Sequence, residues 1–214
     1  MRKNKIENSL NDSILEKTKK MTYVFFKNSF FYILIIGIIA ISLRLYYFEA
    51  DIPLALDNLE YLLYAYDTSV LGHLPEDYTP ANNGWPSFLS MFFSIAHYDS
   101  PFQYMELQKI ISIVISTLTI IPVYILCRNF FSTHYSLIGA SIFAFEPHII
   151  LNSLLGIAEP LYIILVSMTI VMILSRNTTI MYMSFAIASF ATIVRAESII
   201  MFFIISIIFF IKHK

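Results

Sequence analysis

The 214-residue chain is 57% hydrophobic and 14% charged, with a mean hydropathy of +0.69 and a formal net charge of -1. Soluble domains run near a quarter charged, so the composition excludes a sizeable soluble domain and predicts an all-α, polytopic transmembrane bundle; nothing in the charge balance suggests nucleic acid as a partner. The single cysteine, Cys127, excludes an internal disulfide framework and has no metal-type spacing.

Seven cations crowd the first 27 residues, among them Arg2, Lys3, Lys17 and Lys27, together with Glu7, Asp12 and Glu16. This is a polar tail over 1–29 and a poor signal peptide. No small-residue cleavage site follows the first apolar run, which is therefore expected to be retained. Apolar runs predict six crossings, at Phe30–Phe48, Ile110–Leu126, Tyr135–Leu154, Leu161–Leu174, Ile180–Val194 and Ile199–Ile211. The last three are short for a bilayer. Because Lys and Arg favour the cytoplasmic side, the tail places the N-terminus inside. Alternate crossing then puts Arg128, Arg176 and Lys212/Lys214 inside too, with both termini cytoplasmic in a plasma membrane.

Between the first two crossings lies a predicted external loop over 49–108. From Leu45 to Gln108 it has no Lys or Arg, yet nine acids lie from Glu49 to Glu106. Asp57, Glu60, Tyr61, Tyr64 and Asp67 fall at helical spacing opposite Leu59, Leu62, Leu63 and Tyr66, which predicts an amphipathic interfacial helix stopped by Gly72. Leu74 to Pro86 reads as irregular, and Pro86 to Ile95 as a second interfacial helix. Trp85 and the many tyrosines read as an aromatic belt at headgroup depth.

Three further acids, Glu146, Glu159 and Glu197, fall near outer ends of predicted crossings. Ionisable groups in or beside apolar runs are costly and mark functional or paired sites. Pro147 is expected to kink its span. Glu146, His148 and Glu159, with Asp57 or Glu60, offer oxygen-rich ligands for a hard divalent cation such as Mg or Mn, although no compact motif supports the grouping. Arg195 breaks the positive-inside trend. It pairs with a carboxylate of another helix or meets a lipid phosphate; Glu197, two residues on, is not expected to share its helical face. Arg44 either snorkels to headgroups or joins a cationic pocket. Asp57 at a helix start is an N-cap or a reactive carboxylate favoured by the helix dipole. Asn11-Asp12-Ser13 and Asn177-Thr178-Thr179 match the glycosylation sequon but fall on the predicted cytoplasmic side.

One span, an acidic external loop with two interfacial helices, then spans with polar outer ends: this order resembles the GT-C class of integral-membrane glycosyltransferases, in particular the protein O-mannosyltransferase and lipid A aminoarabinose transferase group. The resemblance is carried by Arg44-Leu45, Pro53, Asp57, Tyr61, Ala65 and Gly72, then by "NNGWPSFLSMFF", "FEPHIILNSLLGIAEPLYIIL" and Arg195-Ala196-Glu197. It implies transfer of a sugar, with inversion, from a polyprenyl-phosphate-linked donor to a hydroxyl of an acceptor protein or glycolipid at the external face. Asp57 would be the catalytic base. Arg195, Arg44, Glu60, Tyr61, Glu159 and Glu197 would bind substrate or phosphate. Two departures stand out. Relatives often carry a second acid beside the first, where this chain has Asn58, and they have many more spans. The resemblance therefore extends to an N-terminal portion, a half completed by a second chain, or a reduced relative. Two other readings remain open: a non-catalytic membrane subunit, or a small ion- or proton-coupled transporter subunit using Glu146, Arg195 and Glu197.

Overall fold

A computed structural model describes residues 29–76 and 82–212. Residues 1–28 of the predicted cytoplasmic tail, residues 77–81 of the loop and residues 213–214 lie outside them. Among the described residues the chain is helical, without strands. The helices are α1 (Ser29–Tyr46), α2 (Asp57–Leu71), α3 (Gly84–Phe93), α4 (Pro101–Leu118), α5 (Ile120–Arg128), α6 (Thr133–Phe145), α7 (Pro147–Leu154), α8 (Glu159–Ile173), α9 (Thr178–Val194) and α10 (Ile199–Lys212), with a 3-10 turn at Ala196–Ser198.

Helix occupies each of the six predicted apolar runs. Among the described residues two stretches, Ser29–Tyr46 and the 28-residue α4–α5 unit Pro101–Arg128, are long and apolar enough to cross a membrane; there are three if the bent α6–α7 pair counts as one span. α8 has 15 residues, so it rises only ~22 Å at 1.5 Å per residue, short of a ~30 Å hydrocarbon core.

Two boundaries differ from expectation for identifiable reasons. α4 starts at Pro101, nine residues before Ile110, because Ser100 and Gln103 form a capping box and Pro101 supplies a fixed φ at the first position. The polar residues Gln108 and Lys109, which ended the apolar run, are helical and turned inward. The third crossing is broken, as Pro147 foretold: α6 and α7 meet at 47°.

α2 ends where expected, at Gly72 in the left-handed region, whose N–H bonds to Thr68 O. Its faces are not as expected. Tyr64 is fully buried beside Leu62 and Ala65 instead of siding with the acids. α3 begins at Gly84, two residues before Pro86. Trp85 belongs to no aromatic belt: it is fully buried, stacked on Phe88 at 6.0 Å, with Nε1 donating to Gly156 O at 3.0 Å. Apolar area and a satisfied indole N–H together favour the interior over the interface.

The same Gly156 carbonyl accepts from Gln108 Nε2 at 2.8 Å, and Gln108 Nε2 also donates to Asn58 O. Asn58 Nδ2 donates in turn to Leu155 O at 3.1 Å. One turn between α7 and α8 thus clasps the first turn of α2, the start of α3 and α4. Gly156 can present its carbonyl this way because its φ is +69°, a conformation costly for other residues.

α1 packs through Ala40 against Ile120, Tyr124, Ala140 and Ala144; small residues let helices approach closely where lipid removes the hydrophobic drive. Arg44 does not snorkel. It is fully buried, its Nη1 donating to Ala40 O and Ala144 O and its Nη2 to Ser116 Oγ.

Gly156→Ala tests the clasp. Its Cβ would lie 3.1 Å from Gln108 Cγ at a positive φ, and the left-handed conformation alone costs about 1–2 kcal/mol. Trp85 is the single tryptophan, so its fluorescence reports locally: thermal unfolding of the variant should shift to lower temperature with red-shifted native emission. Unchanged emission and melting would remove the clasp from the account.

Candidate functional site

The Glu159 and Arg195 elements, 36 residues apart in sequence, pair directly, and Tyr61 of the acidic motif lies within electrostatic reach of both. α9 ends at Val194 and Arg195 is extended, with φ -148° and ψ 121°. The chain then turns through Ala196–Ser198. This break is why Glu197 reaches Arg195 after all: Nη2 and Oε1 are 3.5 Å apart, where an unbroken helix would point them away from each other. Glu159, in the first turn of α8, is the closer partner, its Oε1 accepting from Arg195 Nη1 at 2.9 Å. The guanidinium also lies 5.6 Å from the ring centroid of Tyr162, a cation–π contact. Asn82 Oδ1 accepts from Ala196 N at 3.2 Å and fixes the turn from the loop side. Gly84 adds to this: a Cβ there would lie 2.6 Å from Val194 N, so only glycine lets α3 begin against the end of α9.

Tyr61 links this ion-pair network to α2. Burial holds its phenol above the ordinary value, with Asp57, Glu159 and Glu60 adding to the rise and Arg195 opposing it. Asp57 and Glu60 themselves are exposed. Asp57 is the first residue of α2 and makes no capping hydrogen bond; the N-cap is Leu56, without a side-chain cap and with φ 54° and ψ -133°. The N-cap role considered for Asp57 is therefore not the one it has. A non-glycine residue at such φ/ψ costs on the order of 1–3 kcal/mol, and such strain gathers at functional sites. Glu197 is fully exposed, and its own backbone N–H, with Arg195, holds its carboxyl below the usual range.

Other candidates lie elsewhere. Glu146 caps α7, its Oε2 accepting from Ile149 N at 2.8 Å, and His148 is exposed. Among the described residues no three His, Cys, Asp or Glu side chains stand together to hold a metal ion, so the Glu146–His148–Glu159 grouping does not form. Arg44 stays within the bundle with the partners given above. Asn177 of the second sequon caps α9, its Oδ1 accepting from Thr179 N at 2.9 Å; Asn11 lies outside the described residues.

Sequence reading missed Tyr162, Asn82, Gln108 and Lys109. For Lys109 a signal existed: it is the first cation after the long loop and sits next to a predicted crossing, as Arg195 does. Comparison with protein-family models, curated proteins and solved structures finds no match for this chain.

The electrostatics of Tyr61 give a pH test. With its folded value raised, any stability it adds is fully present below the unfolded phenol value near 10 and is lost as pH rises through the folded value. Absorbance titration at 295 nm, wild type minus Tyr61→Phe, should show one phenol ionising above the ordinary range. Asp57→Asn should move that ionisation downward. A Tyr61 titration indifferent to Asp57 would separate the two residues.

Proposed function

We propose that the chain is a glycosyltransferase of GT-C type, or the N-terminal portion of one, acting at the external membrane face. It takes a sugar from a polyprenyl-phosphate-linked donor and gives it to the hydroxyl of an acceptor protein or glycolipid. The observation that carries the reading is that Arg195 pairs with Glu159 and Glu197, while Tyr61 lies within electrostatic reach of Glu159 and Arg195 as well as of Asp57 on its own helix. These are the residues on which the family resemblance rests, and they come from three distant segments.

In this reading Asp57 is an exposed carboxylate at the positive end of a short interfacial helix. Asp57 takes the proton of the acceptor hydroxyl as its oxygen attacks the anomeric carbon. The anomeric carbon–phosphate oxygen bond breaks on the opposite side, its electron pair leaving with the phosphate. Tyr61, kept as a neutral phenol, donates a hydrogen bond to acceptor or sugar. Arg195 serves the phosphate by exchanging Glu197, its longer and fully exposed contact, while Glu159 keeps the guanidinium in place. Arg44 would support this only from within the bundle. Six crossings, with the loop 49–108 external and both termini cytoplasmic, belong to the same proposal, as does a second chain completing the fold. The carboxylates do not converge on a metal position, and no step is routed through Mg or Mn.

A second reading has its own observation. Gln108, Lys109, Ser112 and Ser116 of α4 and Thr119 at its C-cap are all buried, as is Arg44, and such a polar seam suits an ion- or proton-coupled subunit. Beyond Thr119 the buried positions of α5 are Ile120, Pro122 and Tyr124. The seam thus stops at the α4–α5 junction, and beyond it no buried residue among those described is charged, which favours the enzyme.

Full-length protein in native membranes, with whatever chains travel with it, should transfer radiolabelled sugar from a polyprenyl-phosphate-linked hexose. Asp57→Asn should lower turnover about 10²–10⁴-fold, the usual worth of a positioned base, with Trp85 emission unchanged. Normal transfer by the variant would sink the base assignment. A wild type inert toward every such donor would leave the non-catalytic subunit as the better reading.

A further inference from the structure

α2 buries Leu62 and Ala65, and the opposite side of the helix is open. Along that side run Leu56, Glu60, Leu63, Asp67 and Val70, at steps of four, three, four and three residues. Leu56 is 89% exposed, Leu63 50% and Val70 67%. The first four of these residues, with Leu59 between them, line a shallow groove of about 450 Å³. Steps of four and three are the spacing of a coiled-coil seam, whose side chains insert between those of a facing helix. Here apolar residues and acids alternate strictly along it. From Leu56 to Val70 the seam is about 21 Å long, at a rise of 1.5 Å per residue.

The position of the two carboxylates decides what covers this face. A helix that sinks one side into lipid keeps its charges on the other side, where it is rich in Lys and Arg. α2 does neither. Glu60 and Asp67 stand within the apolar stripe, and from Leu45 to Gln108 there is no Lys or Arg. Sinking the stripe into lipid would take both carboxylates out of water without a partner, which is costly. A second α2 fits no better, because acids on the two seams would repel one another. The complementary surface is a helix with apolar residues at one set of seam positions and Lys or Arg at the other. Each cation then meets a carboxylate beside an apolar contact.

We infer that the outer face of α2 is a docking surface for a cationic amphipathic helix of another polypeptide. The partner's apolar residues pack between Leu56, Leu63 and Val70, and its Lys or Arg side chains pair with Glu60 and Asp67. Asp57 and Tyr61 lie to one side of the seam at the helical spacing of α2 and are left in place. The surface does not depend on sugar transfer.

The test uses the full-length protein in phosphatidylcholine nanodiscs, with empty nanodiscs as the lipid control. The probe is a fluorescent helical peptide with Leu and Lys at alternate seam positions and Ala and Gln elsewhere, read by fluorescence anisotropy. It should bind the loaded discs about tenfold more tightly than the empty ones, and the same peptide with Glu for Lys should not bind. Glu60→Gln combined with Asp67→Asn should weaken binding about fivefold, within the worth of two partly exposed ion pairs, with Trp85 emission unchanged. Val70→Lys, at an exposed end of the seam, is a second variant that should weaken it as much. Asp51→Asn combined with Asp99→Asn removes two exposed carboxylates that are off the seam and should leave binding as it was. Lipid as the occupant is read separately, with a bimane label on Leu63→Cys in a Cys127→Ser background; spin-labelled lipid should not quench it. Equal affinity for loaded and empty discs, full binding by Val70→Lys, an equal loss on removing Asp51 and Asp99, or quenching of the Leu63→Cys label by lipid would each overturn the proposal.

Discussion

One carbonyl oxygen, that of Gly156, organises the end of the bundle that holds the first turn of α2 and the start of α3. In a membrane protein apolar contact alone discriminates weakly between arrangements, because lipid offers the same surroundings as a neighbouring helix. Buried hydrogen bonds discriminate strongly, since an unmet polar group in that environment is expensive. Gly156 O takes donors from Trp85 and Gln108, and Gln108 and Asn58 tie α2 to the same turn. Four segments far apart in the sequence therefore have one low-energy arrangement at this end. The direction in which α2 presents Asp57 and Tyr61 follows from it.

Around that clasp the polar groups divide into two sets. Toward Arg195 the charges are paired: Glu159 and Glu197 share the guanidinium, and Tyr61 sits among Asp57, Glu60 and Glu159 with a phenol that resists ionisation. Toward Lys109 and Arg44 the charges are held by backbone carbonyls and a serine hydroxyl instead. An acidic surface that keeps a neutral phenol beside carboxylates suits the proton transfer from a hydroxyl proposed above. The strained Leu56, between the two sets, is where the backbone departs furthest from its ordinary preferences.

Much of this was legible in the sequence. Apolar runs located the helices, Pro147 and Gly72 marked a kink and a stop, and Arg195 was expected to pair with a carboxylate of another helix, as it does with Glu159. What was hidden depends on three-dimensional closure. A capping box extended α4 through residues too polar to be counted in an apolar run. Trp85 and Tyr64 looked interfacial because nothing local reveals that their polar atoms find buried surroundings. Helical spacing placed Arg195 and Glu197 on opposite faces, correctly for a helix, but the chain leaves the helix at Arg195. Arg44 looked like a snorkelling arginine because the Ala144 carbonyl and the Ser116 hydroxyl that hold it lie in other segments.

The account turns on the carboxylate end of the bundle facing away from the cytoplasm, and sidedness is directly measurable. In a Cys127→Ser background, single cysteines would be placed at Glu60, exposed on α2, and at Arg176, exposed in the turn between α8 and α9. Intact cells would then be treated with a membrane-impermeant maleimide. The account predicts labelling of Glu60→Cys without permeabilisation and of Arg176→Cys only after it. Labelling of Arg176→Cys in intact cells, with Glu60→Cys protected until they are opened, would contradict it.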